Sequence, residues 1–155
     1  MKIVINLKNE TSDDVIKIIE YFVGYGYDEF IVFASNPQQL LDNNILSYYN
    51  TNQISIITLK KNSDETKELL HLIKGGLDKF FVVLSKNAIE LDLDKLLLAY
   101  KKNATLATLG NYQNKLVVVI LENEIFDYFS YGKSLEREVL SRVGEDGEIS
   151  IYYEN

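Results

Sequence analysis

Short apolar runs alternate along this chain with longer stretches in which apolar residues recur every three or four positions. Short strands joined by helix-length crossovers pair side by side in one direction, with right-handed connections. That order of elements restricts the fold to a sheet covered by helices on both faces. Residues 2–7 predict a first strand, and Thr11, Ser12, Asp13 and Asp14 supply capping oxygens and first-turn acids for a helix. Val15, Ile18, Ile19, Phe22 and Val23 give that helix one apolar face, and Gly24 and Gly26 stop it. Residues 30–34 predict a second strand, Asn36 and Pro37 open a short helix through Leu40 and Leu41, and residues 54–58 predict a third strand.

Ser63 is the expected cap of a helix from Asp64 to Ile73, ended by Gly75 and Gly76. Residues 80–84 form the most apolar run, as expected of a strand covered on both sides. Asp92 then caps a helix carrying Leu93, Leu96, Leu97 and Tyr100, closed by Asn103. Residues 105–109 and 116–121 predict strands, with residues 110–114 as a connection short enough for an antiparallel return. Short helices over 125–129 and 134–143 and a strand over 149–152 complete the reading. The expected fold is α/β, a three-layer sandwich with a mostly parallel sheet and at least one antiparallel strand. With one proline, no Ser/Gly/Pro tract and no internal repeat, residues 1–155 read as a single domain.

Composition narrows the chemistry. There is no cysteine and one histidine, which excludes disulfides, thiolate nucleophiles and any multi-histidine metal site within one chain. The formal net charge of −7 repels phosphate backbones, so no nucleic-acid partner is expected. No apolar run approaches the ~20 residues that span a bilayer, and no signal-peptide pattern opens the chain; a cytoplasmic protein without a membrane partner is expected.

In sheets of this kind ligands bind beyond the carboxyl ends of the strands, which directs attention to the loops after Leu7, Ala34, Leu84 and Leu121. The first loop, Lys8, Asn9, Glu10 and Thr11, holds no glycine and cannot wrap closely around phosphates. After the central strand, Lys86 reads either as a contact for an acidic ligand or as an ordinary exposed loop lysine, and Asn87 is a weak, uncharged metal ligand. Asp92 is better explained as a helix cap and Asp94 as a first-turn acid on the helix dipole, and Glu90 just before them is not expected to be a ligand either. His71 lies within a helix with no nucleophile pattern around it.

Residues 81–103, an apolar strand running through Ser85, Lys86 and Asn87 into the Asp92 helix, resemble the middle of the sugar-1-phosphate nucleotidyltransferases, the nucleotide-sugar pyrophosphorylases. Residues 104–108, 121–129, 133–140 and 147–149 are similar to the regions that follow in that family, and residues 26–32 to an earlier one. The resemblance implies a Rossmann-like sheet of the nucleotidyltransferase type. Asp64, Glu65 and Thr66 fall where the family often carries a Thr-Gly stretch. The departures lie in the family's chemical centres. The Gly-rich nucleotide loop and its lysine are missing after Leu7, and Asn87 replaces a metal-binding aspartate. A second metal aspartate has no counterpart near Tyr131, Gly132 and Lys133. Phosphoryl transfer depends on positioning and charge neutralisation, so these losses should remove most of the rate enhancement.

The expectation is a degenerate, non-catalytic binding or assembly module. Its candidate ligand-cleft residues are Lys8, Asn9, Glu10, Thr66, Lys86 and Asn87, and it has no catalytic residue, metal ligand or cofactor. Its expected partners are a nucleotide, a sugar phosphate, another protein or a second copy of itself. The alternative is an active enzyme transferring a nucleotidyl group to a sugar phosphate through an atypical site, with Mg²⁺ as its cofactor.

Overall fold

A computed structural model describes residues 1–7, 11–34, 36, 38, 53–58 and 64–155. Seven strands form one sheet: β1 (Lys2–Ile5), β2 (Phe30–Ala34), β3 (Ile54–Thr58), β4 (Phe80–Val83), β5 (Ala107–Tyr112), β6 (Lys115–Leu121) and β7 (Ile149–Glu154). Their spatial order is β3-β2-β1-β4-β6-β5-β7. Pairings β1–β2, β2–β3, β1–β4 and β5–β7 are parallel, while β6 runs antiparallel to both β4 and β5. The α/β class and mixed sheet are as expected.

Alternation along the strands divides the core into two layers. Ile3, Ile5, Val32, Phe81 and Val83 point to one face, where α1 (Ser12–Gly24) and α3 (Leu93–Asn103) pack with Ile18, Phe22 and Leu96. Val4, Ile31, Phe33, Phe80 and Val82 point to the other, under α2 (Glu65–Lys74), α4 (Leu140–Glu145) and the turns before α4. Both faces of β4 are buried, which is why its sequence is apolar without a break.

The caps follow the sequence chemistry. Thr11 accepts from the Asp14 N–H at 3.2 Å while its own N–H donates to Asp14 Oδ2, a reciprocal capping box. Asp92 caps α3 by accepting from the Lys95 N–H. Asp64 fills this position for α2, accepting from the Lys67 N–H; Ser63 lies outside the described residues. Pro37, Leu40 and Leu41, predicted as a short helix, also lie outside them.

Three expectations are revised. β5 continues to Tyr112, and the return to β6 is a two-residue turn at Gln113 and Asn114, with φ of 48° and 61°. Consecutive left-handed residues give the backbone twist that a tight hairpin needs. Gly110 is therefore within a strand rather than in a loop; a Cβ there would meet Leu91 Cδ1 and Val118 Cγ1 at 2.8 Å. The helix predicted over 134–143 begins instead as a π-turn, Leu135–Val139, before α4, and a 3-10 run, Asn123–Tyr131, precedes it. Finally, the loop after Leu121 does not join the ligand end of the sheet. β6 is reversed, so Leu121 pairs with Phe80, at the start of β4. Among the described residues no helix is long and apolar enough to cross a membrane.

Candidate functional site

The carboxyl ends of β1 and β4 meet where Asn6 N–H donates to the Val83 carbonyl at 2.9 Å. Beyond β4, the Leu84 and Ser85 N–H groups both donate to the Val117 carbonyl, which ties the start of the loop to β6. Ser85 Oγ then accepts from the Asn87 N–H at 3.2 Å and opens a 3-10 turn, Lys86–Glu90. Ala88 anchors that turn in the core at 1% exposure and leaves Lys86 and Asn87 outside.

This turn lies against the first turns of α1, enclosing a hollow of about 180 Å³ lined by Asp14, Lys17, Lys86, Asn87 and Ile89. The structure thus joins Lys86 and Asn87 to two residues from α1. Asp14 is occupied by the capping box, whereas among the described residues neither Lys17 nor Lys86 forms an ion pair. The lining carries two ammonium groups, one carboxylate and one amide. Those donors suit an anion. They do not fit a divalent cation, which needs a shell of anionic or carbonyl oxygens and is repelled by the two amines. Among the described residues no three His, Cys, Asp or Glu side chains are grouped to hold a metal ion. Lys8, Asn9 and Glu10, the remaining residues expected at this end, lie outside the described residues.

Thr66 is placed elsewhere. It is buried, and its hydroxyl lies 2.6 Å from Asp64 Oδ1 and 2.8 Å from the Gly132 carbonyl. Its neighbour Glu65 bridges distant elements: one carboxylate oxygen accepts from Asn6 Nδ2 at 2.6 Å, the other from the Leu135 N–H at 2.7 Å. The Thr66 hydroxyl, followed by the Lys67 N–H and the charge of Lys133, holds the Asp64 carboxyl below the usual aspartate range. Glu138 accepts from the Ser134 and Lys133 N–H groups, which lower its pKa in that order. These groups bind one another, so this network locks the 131–135 turn to β1 and α2.

Gly132 is the tightest point of that lock. Its φ of 173° is ordinary extended backbone, but a Cβ would come 2.3 Å from Glu138 Cβ and 2.2 Å from its Oε2. We expect Gly132→Ala to lose about 1–3 kcal/mol of stability by overpacking and by disturbing the Glu138 cap. Gly24→Ala, with nothing within 4 Å, should instead gain up to about 1 kcal/mol. Urea unfolding of the two variants checks the contrast.

A larger cleft of about 470 Å³, lined in part by Lys2, Tyr27, Asp28, Leu77, Asp78 and Lys79, lies at the opposite end, where β1, β2 and β4 begin. Ligands of such sheets gather beyond the carboxyl ends, so the smaller hollow is the better candidate despite its size.

The strand order and the reversed β6 give a mixed α/β sheet of the kind seen in solved nucleotidyltransferase structures. No protein-family model and no curated protein matches the chain. Among solved structures it is similar to a putative glucose-1-phosphate thymidylyltransferase from Bacillus anthracis, with a TM-score of 0.66 and 8% identity, covering 99% of this chain and 86% of that one. It is also similar to 4-diphosphocytidyl-2C-methyl-D-erythritol synthase from Anaerococcus prevotii (TM-score 0.63, 9% identity, 99% and 88% covered). A third is molybdopterin-guanine dinucleotide biosynthesis protein A from Archaeoglobus fulgidus (0.60, 11%, 99% and 83%). At these identities the likeness is one of fold, and its spread over three differently named proteins does not single out the sugar-1-phosphate class.

Proposed function

We propose that residues 1–155 form a single nucleotidyltransferase-like domain that has given up nucleotidyl transfer and binds a phosphate-bearing small molecule without a divalent metal. The observation that carries this reading is the pairing of Lys17 and Lys86 around Asn87 at the carboxyl end of β4. In a metal-dependent phosphoryl-transfer site carboxylates hold the cation, and the cation neutralises the phosphates. Here the protein's own ammonium groups meet the ligand's charge directly. A nucleotide or a sugar phosphate is the ligand class.

Calorimetry with nucleoside triphosphates, nucleotide sugars and sugar phosphates, each with Mg²⁺ and with chelator, tests this reading. Binding of at least one of these that survives chelation is expected. Lys17→Ala and Lys86→Ala should each weaken it about tenfold or more, because charge-assisted hydrogen bonds contribute about 1.5–3 kcal/mol. Metal-dependent triphosphate binding accompanied by pyrophosphate release would overturn the proposal, as would silence across the whole set.

A further inference from the structure

β7 closes one side of the sheet, and no strand lies beyond it among the described residues. The Ala107 N–H donates to the Glu148 carbonyl at 3.1 Å and the Gln113 N–H to the Glu154 carbonyl at 3.0 Å. Successive residues of a strand turn their backbone groups to opposite sides. Even-numbered positions of β7 therefore face β5, while Ile149, Ile151 and Tyr153 direct N–H and C=O away from the sheet. Open edges are normally blunted by lysine, proline or a bulge. β7 reads Ile-Ser-Ile-Tyr-Tyr-Glu and pairs with β5 without a register shift.

The side chains of the outward positions share one face. Ile149 packs into the core layer beneath α2 and α4, but Ile151 and Tyr153 remain 44% and 60% exposed. Beside Tyr153 in register, Asn111 of β5 buries its Oδ1 without a hydrogen-bond partner. An open ladder and two large uncovered side chains coincide on β7, beside an unsatisfied side-chain carbonyl on β5.

We propose that this edge is a homodimer interface, in which β7 pairs antiparallel with β7 of a second copy of this chain about a two-fold axis at Tyr152. Outward residues must meet outward residues, which leaves few registers. With the axis at Tyr152, Ile151 faces Tyr153 of the partner subunit. Symmetry repeats that contact, giving the β-branched and aromatic pairing that stabilises sheets. Ser150 faces Glu154 of the partner subunit, so no like charges are opposed. An axis at Ile151 sets Glu148 against the partner's Glu154, which is unfavourable. An axis at Ser150 runs the partner's strand into the Asp146-Gly147 turn, where Gly147 has a φ of 75°. Charge and turn geometry thus set the Tyr152 axis above those at Ile151 and Ser150, and it pairs residues 150–154 of β7, where an axis at Tyr153 pairs only 152–154. An edge this short buries less than the ~1,200–2,000 Å² of stable interfaces, so association is weak and concentration-dependent.

Sedimentation equilibrium over a series reaching millimolar protein tests the pairing, and a reversible monomer–dimer transition is expected. Ile151→Pro removes an outward N–H and leaves the ladder to β5 intact; it should raise the dissociation constant about tenfold or more. Because the chain has no cysteine, Tyr152→Cys introduces a single thiol on the axis. The opposed residues there form a non-hydrogen-bonded pair with Cα atoms about 4.5 Å apart, within disulfide reach. Mild oxidation should link this variant as a dimer and leave Ser150→Cys monomeric. A strict monomer at millimolar concentration overturns the proposal, as does a dimer indifferent to Ile151→Pro or linked through Ser150→Cys alone. Protection of the Ile149, Ile151 and Tyr153 amides only by an added extended peptide would assign the edge to another protein's strand and also overturn self-pairing.

Discussion

Replacing Phe81 by alanine should remove about 3–5 kcal/mol of stability, read as a lower urea midpoint with an unchanged slope. Phe81 is fully buried on β4, which is flanked by β1 and β6. Its ring meets the rings of Phe22 and Tyr27 edge-on, with centroids 5.3 Å from each. Those neighbours belong to α1 and to the loop before β2, so the vacated space lies between two layers that cannot both collapse into it. Domains of this size hold only about 5–15 kcal/mol in total, and the loss would leave many molecules near unfolding. Phe126→Ala is the matched control: that ring is 46% exposed, and its removal should change stability by no more than about 0.5 kcal/mol. Similar losses from the two variants would mean that the aromatic wedge between α1 and β4 is not where the core is concentrated.

The same positions show what local sequence can and cannot reveal. The run at 80–84 is readable because burial on both faces removes every polar residue, whichever strands lie beside it. Asp92 and the Thr11–Asp14 box are readable because capping is settled within three residues. Strand order is not a local property. Nothing in residues 116–121 announces that β6 inserts in reverse between β4 and β5, and so local sequence puts the loop after Leu121 at the wrong end. Gly110 carries the signature of a turn, yet its lack of a side chain serves the close approach of Leu91 and Val118.

The candidate hollow divides in the same way. Lys86 and Asn87 follow the most apolar strand, and the carboxyl-end rule alone points to them. Lys17 reads as one more lysine on the wet side of an amphipathic helix; only the packing of the 86–90 turn against α1 makes it a neighbour of Lys86. Thr66 enters the candidate cleft through the resemblance alone, and its hydroxyl meets Asp64 and the Gly132 carbonyl. Glu65 looks like a first-turn acid, whereas its partners Asn6 and Leu135 lie 59 and 70 residues away along the chain. Contacts at that range follow from topology, which local periodicity does not encode.

Raising the pH past 10 should unfold this protein cooperatively, because Tyr21, Tyr27, Tyr100, Tyr128 and Tyr152 are held neutral in the fold. Burial, followed by the neighbouring Tyr25 and the charges of Asp92 and Glu154, pushes the Tyr21 hydroxyl well above its ordinary value of 10.0. Burial and the hydrogen bond to Glu122 do the same for Tyr100, and burial with the Glu154 hydrogen bond for Tyr152. Burial also raises Tyr27, and its hydrogen bond to Asp146 raises Tyr128. Each of these groups keeps its proton longer in the folded state than in the unfolded chain. The native state then binds more protons above pH 10, and stability falls as pH rises. The contribution is complete below the unfolded value and disappears as pH climbs towards the raised native values. Urea unfolding at steps between about pH 8 and about pH 11 should show a flat region followed by a steep decline, with tyrosinate absorbance rising together with loss of structure. Tyr21→Phe keeps the ring and removes one titrating group, so its alkaline slope should be shallower by about one proton. An unaltered slope in that variant, or tyrosinate forming while the sheet stays folded, would show that these hydroxyls reach solvent in the native state.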